Sequence, residues 1–222
     1  SFSKHLREKG WFDICTIAMD ARPMEVMQKT LQVIRKADPE FKVSLAGNFH
    51  KELEADIYDY CIPIGASYPA EVLARRAQNN LPTTYYTCCT EAFPNTFTFS
   101  DPAEAAWMSY YSAKDHLDGY LRWAYNSWPK EPLLDSRFEA WAGGDTYLVY
   151  PGARSSIRFE KLIEGVQAHE KITIHRKEFT DKKNKTGFKK LEKMLSTFNL
   201  RDFPEVPAAE TVNKANKILN SL

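Results

Sequence analysis

A chain of 222 residues holds one large domain or two small ones. Hydrophobic residues at 43% and charged residues at 27% are ordinary for a globular protein in water. The 30 basic and 29 acidic side chains leave a formal charge of +1, which gives no field to gather nucleic acid and implies no acidic partner.

In chain order, Ser1 to Gly10 (SFSKHLREKG) is an amphipathic fragment that Gly10 stops. It is not a charged stub followed by an apolar core, so no signal peptide is expected here. A start in mid-helix without Met predicts a chain trimmed of any upstream address. Phe12 to Met19 predicts a buried strand. Pro23 opens a helix through Ala37, with Met24, Met27, Leu31 and Ile34 on one stripe. Asp38-Pro39 ends it. Lys42 to Ala46 is the second strand and runs into Gly47-Asn48. A short helix over Lys51 to Ile57 leads to a strand at Tyr60 to Ile64. Pro69 starts a helix through Ala77, and Thr83 to Cys89 is β-branched and aromatic, hence a strand. Pro102 opens a helix over Ala103 to Lys114, and Gly119 to Tyr125 is the fifth strand.

A long connection, Asn126 to Arg154, follows. Connections of this length are usually functional or disordered, and Trp128, Phe138, Trp141, Tyr147 and Tyr150 argue against disorder. Ser155 or Ser156 caps a helix to about Lys171, with Glu160, Leu162, Ile163 and Val166 on its amphipathic face. Thr186 to Phe198 and Ala208 to Leu222 are two further helices, joined by a Pro204/Pro207 linker.

No apolar run approaches the ~20 residues that cross a bilayer, so no membrane span is expected. The basic run Lys182 to Lys185, with Lys189 and Lys190, has no interleaved aromatics and reads as a solvated face. Cys15, Cys61, Cys88 and Cys89 have no metal-type spacing and no histidine cluster beside them, so no metal is expected. They read as small hydrophobes in apolar runs, with a vicinal Cys88-Cys89 disulfide as the alternative.

Strand alternating with helix predicts an α/β fold with parallel strands and right-handed crossovers. A doubly wound sheet and a barrel both satisfy the pattern. Five strands do not close an eight-stranded barrel, and an open parallel fragment leaves two unpaired edges. Three further units ahead of Ser1 are the expected remedy, so the chain would pair with a missing N-terminal barrel segment. The expected division is a partial barrel over residues 1–178 and a helical extension over 179–222.

Parallel strands present their carboxyl ends on one face, where such folds place their sites. Those ends carry Asp20-Ala21, Asn48, Tyr86, Glu91, and the run Arg122-Trp123-Ala124-Tyr125-Asn126-Ser127-Trp128. The indoles of Trp123 and Trp128 suit the apolar face of a sugar ring. The amides of Asn48, Asn95 and Asn126 suit its hydroxyls. Plainer alternatives stand beside each. Asp20 is a good helix cap, Glu91 a loop carboxylate, each Asn a turn residue and Trp123 a packing residue.

At these positions the chain resembles the catalytic domain of glycoside hydrolase family 123. Asp118 to Trp128 resembles the family's final barrel strand. Gly144 to Gly152 resembles its Gly-Asp…Leu-Val-Tyr-Pro-Gly segment, which holds Asp145 and Tyr150. Ser156 to Gly165 resembles its Ser-Ile-Arg-aliphatic-Glu…Gly helix. The resemblance implies strands four to eight of a (β/α)8 barrel and a β-N-acetylgalactosaminidase that retains configuration through the sugar's own 2-acetamido group. It implies no cofactor, a carbohydrate partner, and a periplasmic or secreted location. In that family an Asp-Glu pair serves the reaction. Asp orients the acetamido N–H and Glu protonates the leaving oxygen. Asp20 matches the Asp, but Ala21 stands where the Glu belongs. Glu91 is the expected substitute acid. Tyr85 and Tyr86 point to opposite faces, so at most one reaches the barrel mouth, and a tyrosine hydroxyl there, Tyr86, is expected to steady the acetamido oxygen. The alternative is a carbohydrate-binding barrel without catalysis.

Overall fold

The computed structural model describes residues 1–203 and 205–222, in two compact units, Ser1–Tyr86 and Thr87–Leu222. Of the expected Pro204/Pro207 linker, Pro204 lies outside the described residues, and Pro207 leads directly into the last helix.

The first unit opens with α1 (Phe2–Glu8), capped by the Ser1 side chain, which accepts from Lys4 N–H. A 3-10 turn over Phe12–Ile14 follows, and only then β1 (Thr16–Asp20). The strand is therefore shorter than the apolar run predicted. Phe12 leaves it to pack on Phe41, with the Arg7 guanidinium 3.6 Å from its ring centroid. Nor is β1 a buried strand, since alternate residues Thr16, Ala18 and Asp20 are exposed.

Next come α2 (Met24–Ala37), β2 (Lys42–Ala46), β3 (Asp59–Pro63), α3 (Ala70–Gln78) and β4 (Thr83–Thr87). Pro23 and Pro69 stand at the helix starts, where a missing N–H costs nothing. The helix expected over residues 51–57 is only a 3-10 turn at Glu54–Asp56. All pairings through Tyr86 are parallel, with Thr16 opposite Lys42, Ser44 opposite Asp59, and Tyr60 opposite Thr83.

Strand alternation divides this unit into two environments. Val43, Leu45, Tyr60, Ile62 and Tyr85 are buried on one face, and Met27, Leu31, Ile34 and Val72 of the helices join that core. Arg76 of α3 is fully buried and donates to the carbonyl groups of Ile57, Tyr58 and Pro82, which ties the helix to the entries of β3 and β4. The register puts Thr16, Ala18, Asp20, Ser44, Ala46, Asp59, Thr84 and Tyr86 on the opposite face. Those side chains are small or polar. The Ser44 hydroxyl bonds that of Thr16 at 3.0 Å, and Thr84 donates to Asp59 at 3.0 Å.

The second unit is built around α4 (Ala103–Lys114), of which every residue from Ala103 to Ala113 is buried. It is surrounded by β5 (Gly119–Arg122), α5 (Ile157–Asp181), α6 (Lys185–Leu195) and α7 (Ala208–Leu219). Trp107 stacks on Tyr111 and Tyr110 on Phe198, so aromatic rings fill the space between these helices.

Strand β5 stops at Arg122 rather than Tyr125, because the next residues pair with the loop downstream. Leu148 N–H donates to Tyr125 at 2.8 Å, and Asn126 forms an antiparallel bridge with Tyr147. Helix α5 runs ten residues beyond Lys171, and its buried line is Arg158, Gly165, Ala168, Ile172 and Phe179. Ile163 and Val166, expected on the packed face, are exposed. The cysteines also differ from one another. All four are free thiols, Cys61 is buried and Cys89 exposed, so the description as small hydrophobes fits Cys61 alone.

Candidate functional site

In the first unit, the candidate residues lie where parallel strands end. The Asp20 side chain is 68% exposed. One of its oxygens accepts the Ala21 N–H at 2.9 Å, and the other pairs with Arg22 at 2.6 Å. Ala21 remains in the ladder, with its N–H donating to Ala46 at 2.9 Å. A Cβ on Gly47 would lie 2.6 Å from the Ala21 methyl, so only glycine there lets residue 21 carry a side chain in this place. Asn48 is exposed, and the turn it begins is fastened by Tyr60. That hydroxyl donates to the Asn48 carbonyl at 3.0 Å and accepts His50 N–H at 2.8 Å. Tyr86 is half-buried, on the same polar face of the strands as Asp20.

In the second unit Arg122 and Trp123 converge on Asp145, and Asn95 joins them through Arg122. Its carboxylate is wholly buried and pairs with the nearly buried Arg122 at 2.7 Å. The same oxygen accepts the Trp123 indole N–H at 3.2 Å. Arg122 also donates to the Asp145 carbonyl and, at 3.3 Å, to the Asn95 side chain. Asn95 is itself buried, and its amide N–H groups donate to the Cys88 and Glu91 carbonyls. Arg122, Asn95 and Asp145 are therefore interior groups that fix neighbours, and Trp123 is what they present outward. Trp123 keeps 45% of its surface open and touches Trp141 at 5.5 Å between ring centroids. Tyr125 meets Phe159 edge-on, Asn126 is exposed, and the Trp128 indole N–H donates to the Val149 carbonyl at 2.7 Å. Tyr150 packs edge-on against Tyr147.

Glu91 is half-exposed, and both of its oxygens are engaged as acceptors, by Cys88 N–H at 2.7 Å and by the Thr90 hydroxyl. Glu104 caps the loop that carries Asn95, accepting the N–H of Asn95 at 2.7 Å and of Asp101 at 3.1 Å. Its burial pushes the carboxyl up to about 7.

Arg158, which the chain-order reading did not single out, is buried and donates to the carbonyls of Thr96 and Gly144 at 2.6 and 2.8 Å. Burial lowers its affinity for its proton. Gly144 sits at φ +78°, and a Cβ there would lie 2.6 Å from that guanidinium and 3.0 Å from the Thr98 backbone. The Gly-Asp segment and the Ser-Ile-Arg helix start are thus two halves of one fastening, and the paired motifs were the available signal for it.

Among the described residues no group of three or more His, Cys, Asp or Glu side chains gathers as a metal site, and no helix is long and apolar enough to cross a membrane.

Residues 1–175 match the family described as glycoside hydrolase 123, catalytic domain. The chain belongs to glycoside hydrolase family 123. No curated protein matches it. Among solved structures, this family 123 chain is similar to a family 123 glycoside hydrolase from Clostridium perfringens, a protein analysed for the hydrolysis of glycolipid glycans. The two share 26% identity at a TM-score of 0.79, over 99% of this chain and 42% of the clostridial one. The family 123 chain therefore spans less than half the length of that relative.

Proposed function

We propose that this family 123 domain acts on terminal β-linked N-acetylhexosamine, N-acetylgalactosamine above all, through a substrate-assisted retaining site from which the general acid is missing. The carrying observation is the exposed Asp20 carboxylate at the end of β1, followed by Ala21. A sugar acetamido group that attacks its own anomeric carbon develops positive charge and needs an anion on its N–H. Asp20 supplies that anion, and its open oxygen surface allows a ligand to share it with Arg22. The departing oxygen needs a proton, and a methyl group at residue 21 has none to give. Glu91 would have to release two donors before serving as the acid, so the deficit at residue 21 stands. Tyr86 steadies the acetamido oxygen. Trp123 and Trp128 take the sugar face, and Asn48, Asn126, Tyr125 and Tyr150 its hydroxyl groups. Arg122, Asn95 and Asp145 hold Trp123 in place.

The glycolipid glycans named for the clostridial relative are the substrate class we extend to this chain. Its strands correspond to four to eight of a (β/α)8 barrel. In this reading β1, which pairs only with β2 among the described residues, takes a further β/α segment on its other edge. A periplasmic or secreted location follows from the resemblance.

A second reading, carbohydrate binding without hydrolysis, is favoured by Ala21 itself. The two separate in an assay of aryl β-N-acetylgalactosaminides with good and poor leaving groups, run on the chain as it stands and on Ala21→Glu. A restored acid should raise the rate for the poor leaving group about 10²–10⁴-fold and leave the activated one little changed. If neither protein cleaves either compound while both bind the sugar, the binding reading replaces the catalytic one.

A further inference from the structure

Residues 182–190, KKNKTGFKK, hold five lysines and no acid. They form the turn between α5 and α6 and the start of α6. This tip is held in one shape. Asn184 N–H donates to the Phe179 carbonyl at 2.7 Å and Lys183 N–H to the Thr180 carbonyl at 3.1 Å, while the Asn184 side chain accepts Gly187 N–H at 3.0 Å. A Cβ on Gly187 would lie 3.0 Å from the Phe179 ring, so α6 starts directly on that ring. Lys183 sits at φ +53°, where glycine or asparagine would be less strained. Backbone preference therefore does not account for a lysine there.

Most of the charge at the tip is uncompensated. Lys182 pairs with Glu178 at 3.6 Å, and Lys190 donates to the Ser221 hydroxyl at 3.0 Å. The neighbouring Asp181 is taken by Lys177 at 2.5 Å. Lys183, Lys185 and Lys189 are exposed, with no ion pair and no side-chain hydrogen bond among the described residues. Beside them lies a cleft of about 380 Å³, lined by Phe179, Thr180, Lys183, Asn184, Lys185 and Phe188. Every charge on its wall is positive. Lys185, Phe188 and Lys189 share one face of α6 by their spacing of three and four residues. The Phe188 ring, 37% exposed, thus stands between two free cations.

A face that only meets water has no use for a phenylalanine. A nucleic acid is matched by cations in a stripe along its phosphates, whereas these gather at one tip. An anionic bilayer answers both features together. Its headgroup phosphates take the ammonium groups, and the apolar layer beneath them takes the ring. The lysine stems lie along apolar surface while their charged ends stay at headgroup level.

We propose that the α5–α6 tip is a docking surface for an anionic lipid bilayer, with Lys183, Lys185 and Lys189 on the headgroup phosphates and Phe188 at the acyl boundary. The assignment is independent of the carbohydrate reading, since no sugar enters its test.

That test is sedimentation of the whole chain with vesicles of phosphatidylcholine, alone or mixed with phosphatidylglycerol. The unaltered protein should sediment with the anionic vesicles only, and added salt should release it. Lys183→Ala, Lys185→Ala and Lys189→Ala combined should weaken binding about a hundredfold, roughly fivefold for each lysine. Phe188→Ser should weaken it about tenfold, by a factor that salt does not alter. Equal sedimentation with both vesicles, or undiminished affinity in the lysine variant, would overturn the proposal. Undiminished affinity in Phe188→Ser would remove the apolar contact and the bilayer with it. If the unaltered protein ignores the vesicles but binds duplex DNA or polyglutamate, the tip belongs to another polyanion and the bilayer assignment fails.

Discussion

The Asp145 carboxylate has no exposed surface, and one of its oxygens receives both the Arg122 guanidinium and the Trp123 indole. Asp145→Ala would leave a buried cation without its partner, a change that costs about 3–5 kcal/mol. Thermal denaturation should show that loss, with a smaller one for Asp145→Asn, which keeps an acceptor. A drop below about 1 kcal/mol would mean that the Asp145 and Asn95 oxygens left to Arg122 suffice. At this scale the sequence set Arg122 and Asp145 in two separate motifs and did not show them as an interior pair. Burial was illegible there because the two partners stand 23 positions apart, and neither residue type is usually interior. The contact between Trp123 and Trp141 went unread as well, because the fold alone sets the two rings side by side.

Among the elements, those with punctuation at their ends were legible. Proline stands at the first turn of α2, α3, α4 and α7, and the predicted starts of all four agree with the structure. Strands were read too long at the start of β1 and at the ends of β4 and β5, because apolar and aromatic runs extend into turns and bridges that no local signal marks. The stripe on α5 was set on the wrong side because its buried line includes Arg158, Gly165 and Ala168, which an apolar count passes over. Ser156 carries two duties at the head of that helix. Its hydroxyl oxygen accepts Phe159 N–H at 3.2 Å, and its proton goes to the Leu148 carbonyl at 2.5 Å. Ser156→Ala should therefore cost about 1–2 kcal/mol in denaturant unfolding, the upper end of a lost cap. Amide exchange should quicken at Phe159 and at Leu148, since the substitution releases helix start and loop together. Exchange that quickens at the helix alone would show the loop to be held by other means.

For the molecule as a whole, Glu104 sets a pH dependence. Burial raises its carboxyl from 4.5 to about 7, so the folded protein holds this proton more tightly than the unfolded chain does. The associated stability is complete below about 4.5 and declines as pH climbs toward about 7, by about 2–3 kcal/mol. Melting curves should fall over that interval, and Glu104→Gln, which cannot ionise, should flatten the fall. An unchanged slope in the variant would remove Glu104 as its source. The α/β class and the parallel order of strands were legible because helices follow β1, β3, β4 and β5. The division at Tyr86 was not, since β4 carries the chain through it without a break in composition.

The hydroxyl and carboxylate lattice on the open side of β1 to β4 has one more consequence. Thr16 with Ser44, and Thr84 with Asp59, already satisfy one another sideways, so the surface wets easily and repels grease. Whatever comes to lie over it must arrive bearing its own donors and acceptors, or bring water along. A ligand rich in hydroxyl groups meets that requirement, whereas a hydrocarbon helix would dehydrate the lattice with nothing to offer in return.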